Sequence, residues 1–257
     1  MIRKMLGAIF LGLALTVYGA DNSIYIDQAG DSSSITIFQD GGGNQVYDVG
    51  AGATNTTAAT LTGDSQTVDI RQVGAGNVLK LGANSTVLTG VGIDLTYYIT
   101  GSNSVASIDF NDDGQGTLAN LVFDVRQTGS YNDLFADLLG SNNSVTATAT
   151  GGDYNDFSFT INADDVTVNA AISGGGGSSL TTNLTSDSGS VDVTAVGASN
   201  TFSITQAGLG GTSGHGITLD VTGSSNSFTT SQSGSIDTTI DITSVGSSNT
   251  WSITTSD

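Results

Sequence analysis

The sequence predicts an all-β fold: a β-solenoid of strand-turn-strand coils, roughly 22–26 residues per coil, preceded by a signal peptide. Three observations carry this expectation. Apolar residues alternate with polar ones in short runs, as in Val68 and Ile70, Leu121, Phe123 and Val125, or Ile217, Leu219 and Val221; alternation puts them on one side of an extended chain. The joins between runs are rich in Gly, Ser, Asn and Asp, which accept positive φ or bond their own backbone. Finally, Asn22, Asn44, Asn77, Asn132 and Asn143 follow one another at 22, 33, 55 and 11 positions, all multiples of a half-coil.

Residues 1–20 read as a secretory leader, with Arg3 and Lys4, an apolar run from Met5 to Tyr18, then Gly19 and Ala20. The run falls short of the roughly 20 residues of a membrane span, so no stable membrane anchor is expected. Residues 21–257 read as a single β-solenoid repeat domain. Its most complete unit is NSIYIDQAGDSSSITIFQDGGGN, Asn22 to Asn44. Asn22, Ile24, Ile26 and Gln28 share one side of a first strand, and Ser33, Ile35, Ile37 and Gln39 share one side of a second. The steps from Asn22 through Gln28, Ser33 and Gln39 to Asn44 are six, five, six and five. Such a unit cannot bury its apolar line alone and must stack on a neighbour. Partial copies follow: Gln66 to Gln72 with Asn77, Gln127 with Asn132, Asn200 to Gln206, and Asn226 to Gln232. GASN before Thr201 and GSSN ending at Asn226 and at Asn249 read as one turn rewritten. Longer loops are expected at 51–62, 174–177 and 209–216.

This double spacing resembles the curlin repeat, the unit of curli amyloid fibres on bacterial surfaces. The match is complete over Asn22, Gln28, Ser33, Gln39 and Asn44, whereas Gly50, Ala83 and Leu138 stand where the family pattern has Gln. The resemblance implies a secreted subunit that self-associates into cell-surface or extracellular fibres for adhesion and biofilm matrix.

Charge narrows the partners. Past residue 20 the basic residues are Arg71, Lys80 and Arg126, and all 24 acids are Asp, giving 3 minus 24, or −21. Nucleic acid is excluded as a partner, because its binding needs Lys and Arg to release counterions. With no Cys and no Glu, thiol nucleophiles and thiolate metal sites lack materials. His215 stands alone in LGGTSGHG and is expected in an exposed loop. Asp112 and Asp113, like Asp164 and Asp165, read as turn residues, and weak Ca²⁺ binding is the most expected of them. No cofactor and no enzymatic activity are expected.

The polar anchors have a structural role instead. An inward Asn or Gln can bond its copy one coil away, and an unmatched buried amide costs about 1–3 kcal/mol. The expected ladder and assembly set is Asn22, Gln28, Ser33, Gln39, Asn44, Gln72, Asn77, Gln127, Asn132, Asn200, Gln206, Asn226, Gln232 and Asn249. For Asn22, Asn44, Asn200 and Asn226 a turn cap is an equal alternative. Both ends lack a polar cap, so the first and last coils are expected to be assembly surfaces. Two other readings keep the solenoid: a phage virion structural or fibre protein, and an adhesin that binds a cell-surface glycan. Ice or mineral binding would require regular outward Thr rows.

Overall fold

The computed structural model describes residues 12–18, 26–41, 44, 60–74, 77–81, 90–101, 105–110, 118–129, 133–152, 154–208, 214–234 and 239–256, and among them none is helical: they are strands joined by bends and short irregular links. The chain is a β-solenoid. Its first sheet stacks ten strands in chain order: Gly12–Tyr18, Ser34–Asp40, Thr67–Val73, Asp94–Thr100, Val122–Thr128, Ser144–Thr150, Val166–Gly176, Gly189–Ala198, His215–Thr222 and Thr239–Val245. A second ten-stranded sheet lies opposite. It runs from Thr250–Ser256 back through Ser227–Ser233, Thr201–Ala207, Ser179–Thr185, Asp156–Asp164 and Asp133–Ser141 to shorter strands near the start. Every pairing is parallel, as it must be when the chain returns to the same edge after each coil.

Register gives the coil length directly. From Val122 onward, Val122 pairs Ser144, Ser144 pairs Thr167, Thr167 pairs Ser190, Ser190 pairs Gly216 and Gly216 pairs Thr239, steps of 22, 23, 23, 26 and 23. Earlier coils are longer. Ser34 pairs Thr67, Thr67 pairs Asp94 and Asp94 pairs Val122, steps of 33, 27 and 28, and each of those intervals includes a segment outside the described residues.

Because register is kept, each inward position becomes a column. Ile35, Val68, Leu95, Phe123, Val145, Val168, Val191 and Ile217 stack in one, and Leu134, Phe157, Leu180, Phe202 and Phe228 stack in the facing sheet; all are buried. These two rows zip the sheets together and form the core.

The repeated turn phrases have a backbone reason. In Gly223 to Asn226 and in Gly246 to Asn249 the third residue, Ser225 or Ser248, is left-handed at φ 61° or 60°, turning the next Asn inward. The glycine is required by the neighbour: a Cβ on Gly223 would collide with the Gly197 carbonyl, and one on Gly246 with that of Gly223.

Two expectations change here. Gly174 to Gly176 are not loop but the end of the strand Val166–Gly176, whose pairing shifts by a bulge between Ser173 and Gly176. His215 is not an exposed loop residue: it opens the strand His215–Thr222 as an inward position and is 2% exposed. Gly12–Tyr18, within the predicted leader, pairs with Ser34–Asp40 as an edge strand. The predicted loop residues 51–59 and 209–213 lie outside the described residues.

Candidate functional site

Two features are candidates for function: the polar columns inside the coils and the open face of the last coil. Gln39 and Gln72 stand in register, and both are buried. The Gln72 Nε2 donates to Gln39 Oε1 at 2.6 Å, and the Tyr97 hydroxyl of the next coil donates to Gln72 Oε1 at 2.5 Å. Burial holds the Tyr97 phenol well above its usual pKa, which keeps it a donor. Ile99 follows Gln72 in the column and interrupts it. Gln127, one coil further, donates to the Asp133 carbonyl at 3.3 Å, and its Oε1 has no partner. In the second sheet the Gln232 Nε2 donates to Gln206 Oε1 at 2.7 Å, while Gln206 Nε2 reaches the carbonyls of Gly189 and Gly216, each at 3.2 Å.

The Asn column works in two ways. Among the early coils Asn77 Nδ2 donates to Asn44 Oδ1 at 3.0 Å, side chain to side chain, and Asn44 Nδ2 donates to the Val73 carbonyl at 3.3 Å. In the late coils each Asn instead accepts from the previous coil's backbone. The Asn200 N–H donates to Asn226 Oδ1 at 2.9 Å, the Asn226 N–H to Asn249 Oδ1 at 3.0 Å, and the Ser178 N–H to Asn200 Oδ1 at 3.1 Å. A left-handed residue before each Asn aims the backbone N–H of Asn along the stack, so one side chain closes the turn of its neighbour. Ladder and turn cap are here one device. Ser33 bonds within its own turn, its hydroxyl donating to the Gly30 carbonyl at 3.4 Å. Asn22 and Asn132 lie outside the described residues, as does all but the backbone of Gln28.

Sequence reasoning missed Asn143, Asn155 and Ser178 as column members and Tyr97 as the hydroxyl that ends the first Gln pair. The Leu121 N–H donates to Asn143 Oδ1 at 3.2 Å, and the Asn155 N–H donates to Ser178 Oγ at 3.3 Å. The signal for Ser178 was its place 22 positions before Asn200.

At the far end, no other strand among the described residues pairs with the outer edges of Thr239–Val245 and Thr250–Ser256. Trp251 stacks on Phe228 with centroids 4.0 Å apart and planes 9° apart, and Phe228 stacks on Phe202 at 4.9 Å and 5°. Phe228 is 1% exposed and Thr230 2%, whereas Ile253, next in the Thr230 column, is 52% exposed. Trp251, Ile240 and Ile242 are only partly buried against the core. The aromatic column therefore ends in a half-covered ring on two strands whose outer edges pair with no other described strand.

His215 lines a shallow groove with Asp165, Ser188, Ser190 and Thr239, and neither ring nitrogen has a partner. Among the described residues no group of three metal-binding side chains is brought together; Asp112 and Asp113 lie outside them. No family model, no curated protein and no solved structure matches the chain.

Proposed function

We propose that the protein is a secreted structural subunit that assembles end to end into extracellular or cell-surface fibres, in the manner its spacing's likeness to the curlin repeat implies. The observation that carries this reading is the open last coil. Thr239–Val245 and Thr250–Ser256 are seven-residue strands whose outer N–H and C=O groups can continue the ladder into a second copy, at a net gain of about 0.5–1.5 kcal/mol for each hydrogen bond. The half-covered Trp251 and Ile253 would regain, under an incoming coil, the burial that Phe228 and Thr230 have one level down. With the leader removed, Ser34–Asp40 becomes the matching edge of the first sheet.

The test is growth of the protein lacking residues 1–20, followed by thioflavin fluorescence and electron microscopy. Long unbranched fibres are expected, growing faster at higher salt or near pH 4, where the −21 charge is screened or titrated. The double change Trp251→Asp and Ile253→Asp puts unpaired carboxylates on the docking face; it should stop elongation while circular dichroism stays β-type. Discrete particles from the unmodified protein, or unaltered growth of the double variant, would overturn the proposal.

A further inference from the structure

Both arginines past residue 20, Arg71 and Arg126, lie in one outward column of the first sheet. Register places Phe38, Arg71, Tyr98 and Arg126 side by side on four successive strands. The Arg71 guanidinium sits 5.7 Å from the Phe38 ring centroid and that of Arg126 5.2 Å from Tyr98. Both arginines are exposed and both rings half-exposed. Two residues before each Arg, on the same face, stands an Asp: the phrases are Val68-Asp69-Ile70-Arg71-Gln72 and Phe123-Asp124-Val125-Arg126-Gln127. In the second, Arg126 donates to Asp124 through Nη2 at 2.9 Å and Nε at 3.3 Å.

We infer that this comb, Phe38, Arg71, Tyr98 and Arg126 with Asp69 and Asp124, is a binding site for a neutral polysaccharide lying along the solenoid axis. The two rings offer apolar surface for the C–H faces of sugars. They are two strands apart, about 10 Å, the reach of a disaccharide in an extended glycan. Arg71 between the rings and Arg126 beyond Tyr98 offer N–H donors and the carboxylates acceptors, the complement a sugar hydroxyl needs because it both gives and takes a hydrogen bond. Arg126, held by Asp124, is pre-organised and retains unused donors.

Charge decides which glycan. Asp40, Asp69, Asp94 and Asp124 occupy outward positions on the same four strands, twice the number of arginines, and the whole molecule is strongly acidic. A polyanion is repelled by this surface, so the arginines serve as forked donors to hydroxyls. The inference does not depend on fibre formation. The comb lies on the side of the rod and stays accessible whether or not the ends are joined.

The experiment is affinity electrophoresis of the protein lacking residues 1–20 through gels containing mixed-linkage β-glucan, mannan or xyloglucan, with alginate as the anionic comparator. Retardation by at least one neutral polymer is expected and by alginate not. Tyr98→Ala and the pair Arg71→Gln with Arg126→Gln should each weaken retardation at least tenfold, while Thr205→Ala on the opposite sheet leaves it unchanged. The glutamine pair keeps side-chain bulk, so it reports on binding even where Tyr98→Ala lowers stability, and circular dichroism checks both. No retardation by any neutral polymer, retardation by alginate alone, or equal retardation of the wild type and the glutamine pair would overturn the assignment.

Discussion

The early and late coils share one fold and each holds an in-register Gln pair, Gln72 with Gln39 and Gln232 with Gln206, but their Asn columns and ring contacts differ. Up to Val122 the coils are long, at 33, 27 and 28 positions, and their inward polar residues bond side chain to side chain, Gln72 to Gln39, Asn77 to Asn44 and Tyr97 to Gln72. From Ser178 onward the coils are 22 to 26 positions long, the Asn side chains cap backbone N–H groups, and Phe202, Phe228 and Trp251 stack face to face. The outside differs as well. On the first sheet the early coils carry the aromatic and arginine comb, whereas the late strands carry Asp192, Asp220 and Asp241 with no outward ring or arginine. A solenoid fixes only which positions repeat, and either amides or rings can fill a repeating inward position provided each coil offers its neighbour a matching group.

The largest effect should come from breaking the late stack. Phe228 lies between two rings and is 1% exposed, so Phe228→Ala leaves a cavity on both sides at a cost of about 3–5 kcal/mol. Contacts in a solenoid run mostly between neighbours; the late coils should therefore melt first, seen as a new early transition by circular dichroism and as lost Trp251 fluorescence anisotropy. A single unchanged transition would show that the rings do not hold these coils.

The early amide pair is the next test. Gln72→Leu fits the column sterically but removes one hydrogen bond of Gln39 and the acceptor of the buried Tyr97 hydroxyl, at a cost of about 1–3 kcal/mol. Adding Tyr97→Phe should restore part of the loss, because the column then holds no buried hydroxyl that needs Gln72 as its acceptor. Urea unfolding of the single and double variants measures both. Asn226→Ala should cost less, about 1 kcal/mol, the value of one capped N–H, that of Asn200.

Much of this was legible in the sequence. Alternation and the five-and-six spacing gave the coils, and the inward places of Gln39, Gln72, Gln206 and Gln232 follow from the same count. What the spacing did not hold was the direction of each bond. Whether Asn226 meets the Asn200 side chain or its N–H depends on the left-handed turn residue, Ser225, and Ser tolerates either geometry in a string of letters. His215 was misjudged because Gly-rich flanks suggest a loop, yet its partner across the register, Gly189, is also an inward position of a strand. The comb of Phe38, Arg71, Tyr98 and Arg126 stayed hidden because coils of unequal length separate its members by 33, 27 and 28 positions; only register reveals them as neighbours.

The smallest effect concerns the junction between the two regions, where Asp133 and Asp156 stand opposite one another on adjacent strands of the second sheet. Partial burial, and then the charge of Asp156, hold the Asp133 carboxyl above its usual pKa. A raised carboxyl pKa in the fold means that the folded state binds the proton more tightly than the unfolded chain. The associated stability is therefore fully present below the unfolded pKa of about 4 and is lost as pH rises through the folded value. Asp133→Asn removes the penalty, so the variant should match the wild type at pH 3 and exceed it at pH 7. The site is mostly exposed and screened by solvent, which limits the gain to about 0.5 kcal/mol, or roughly 1–2 °C in Tm for a chain of this size. Thermal melts at pH 3, 5 and 7, repeated in high salt, measure it, and the difference at pH 7 should shrink as salt is added because Asp156 is then screened. A variant that is less stable than wild type at pH 7 would mean that the Asp133 carboxylate is held by a favourable contact rather than strained by its neighbour.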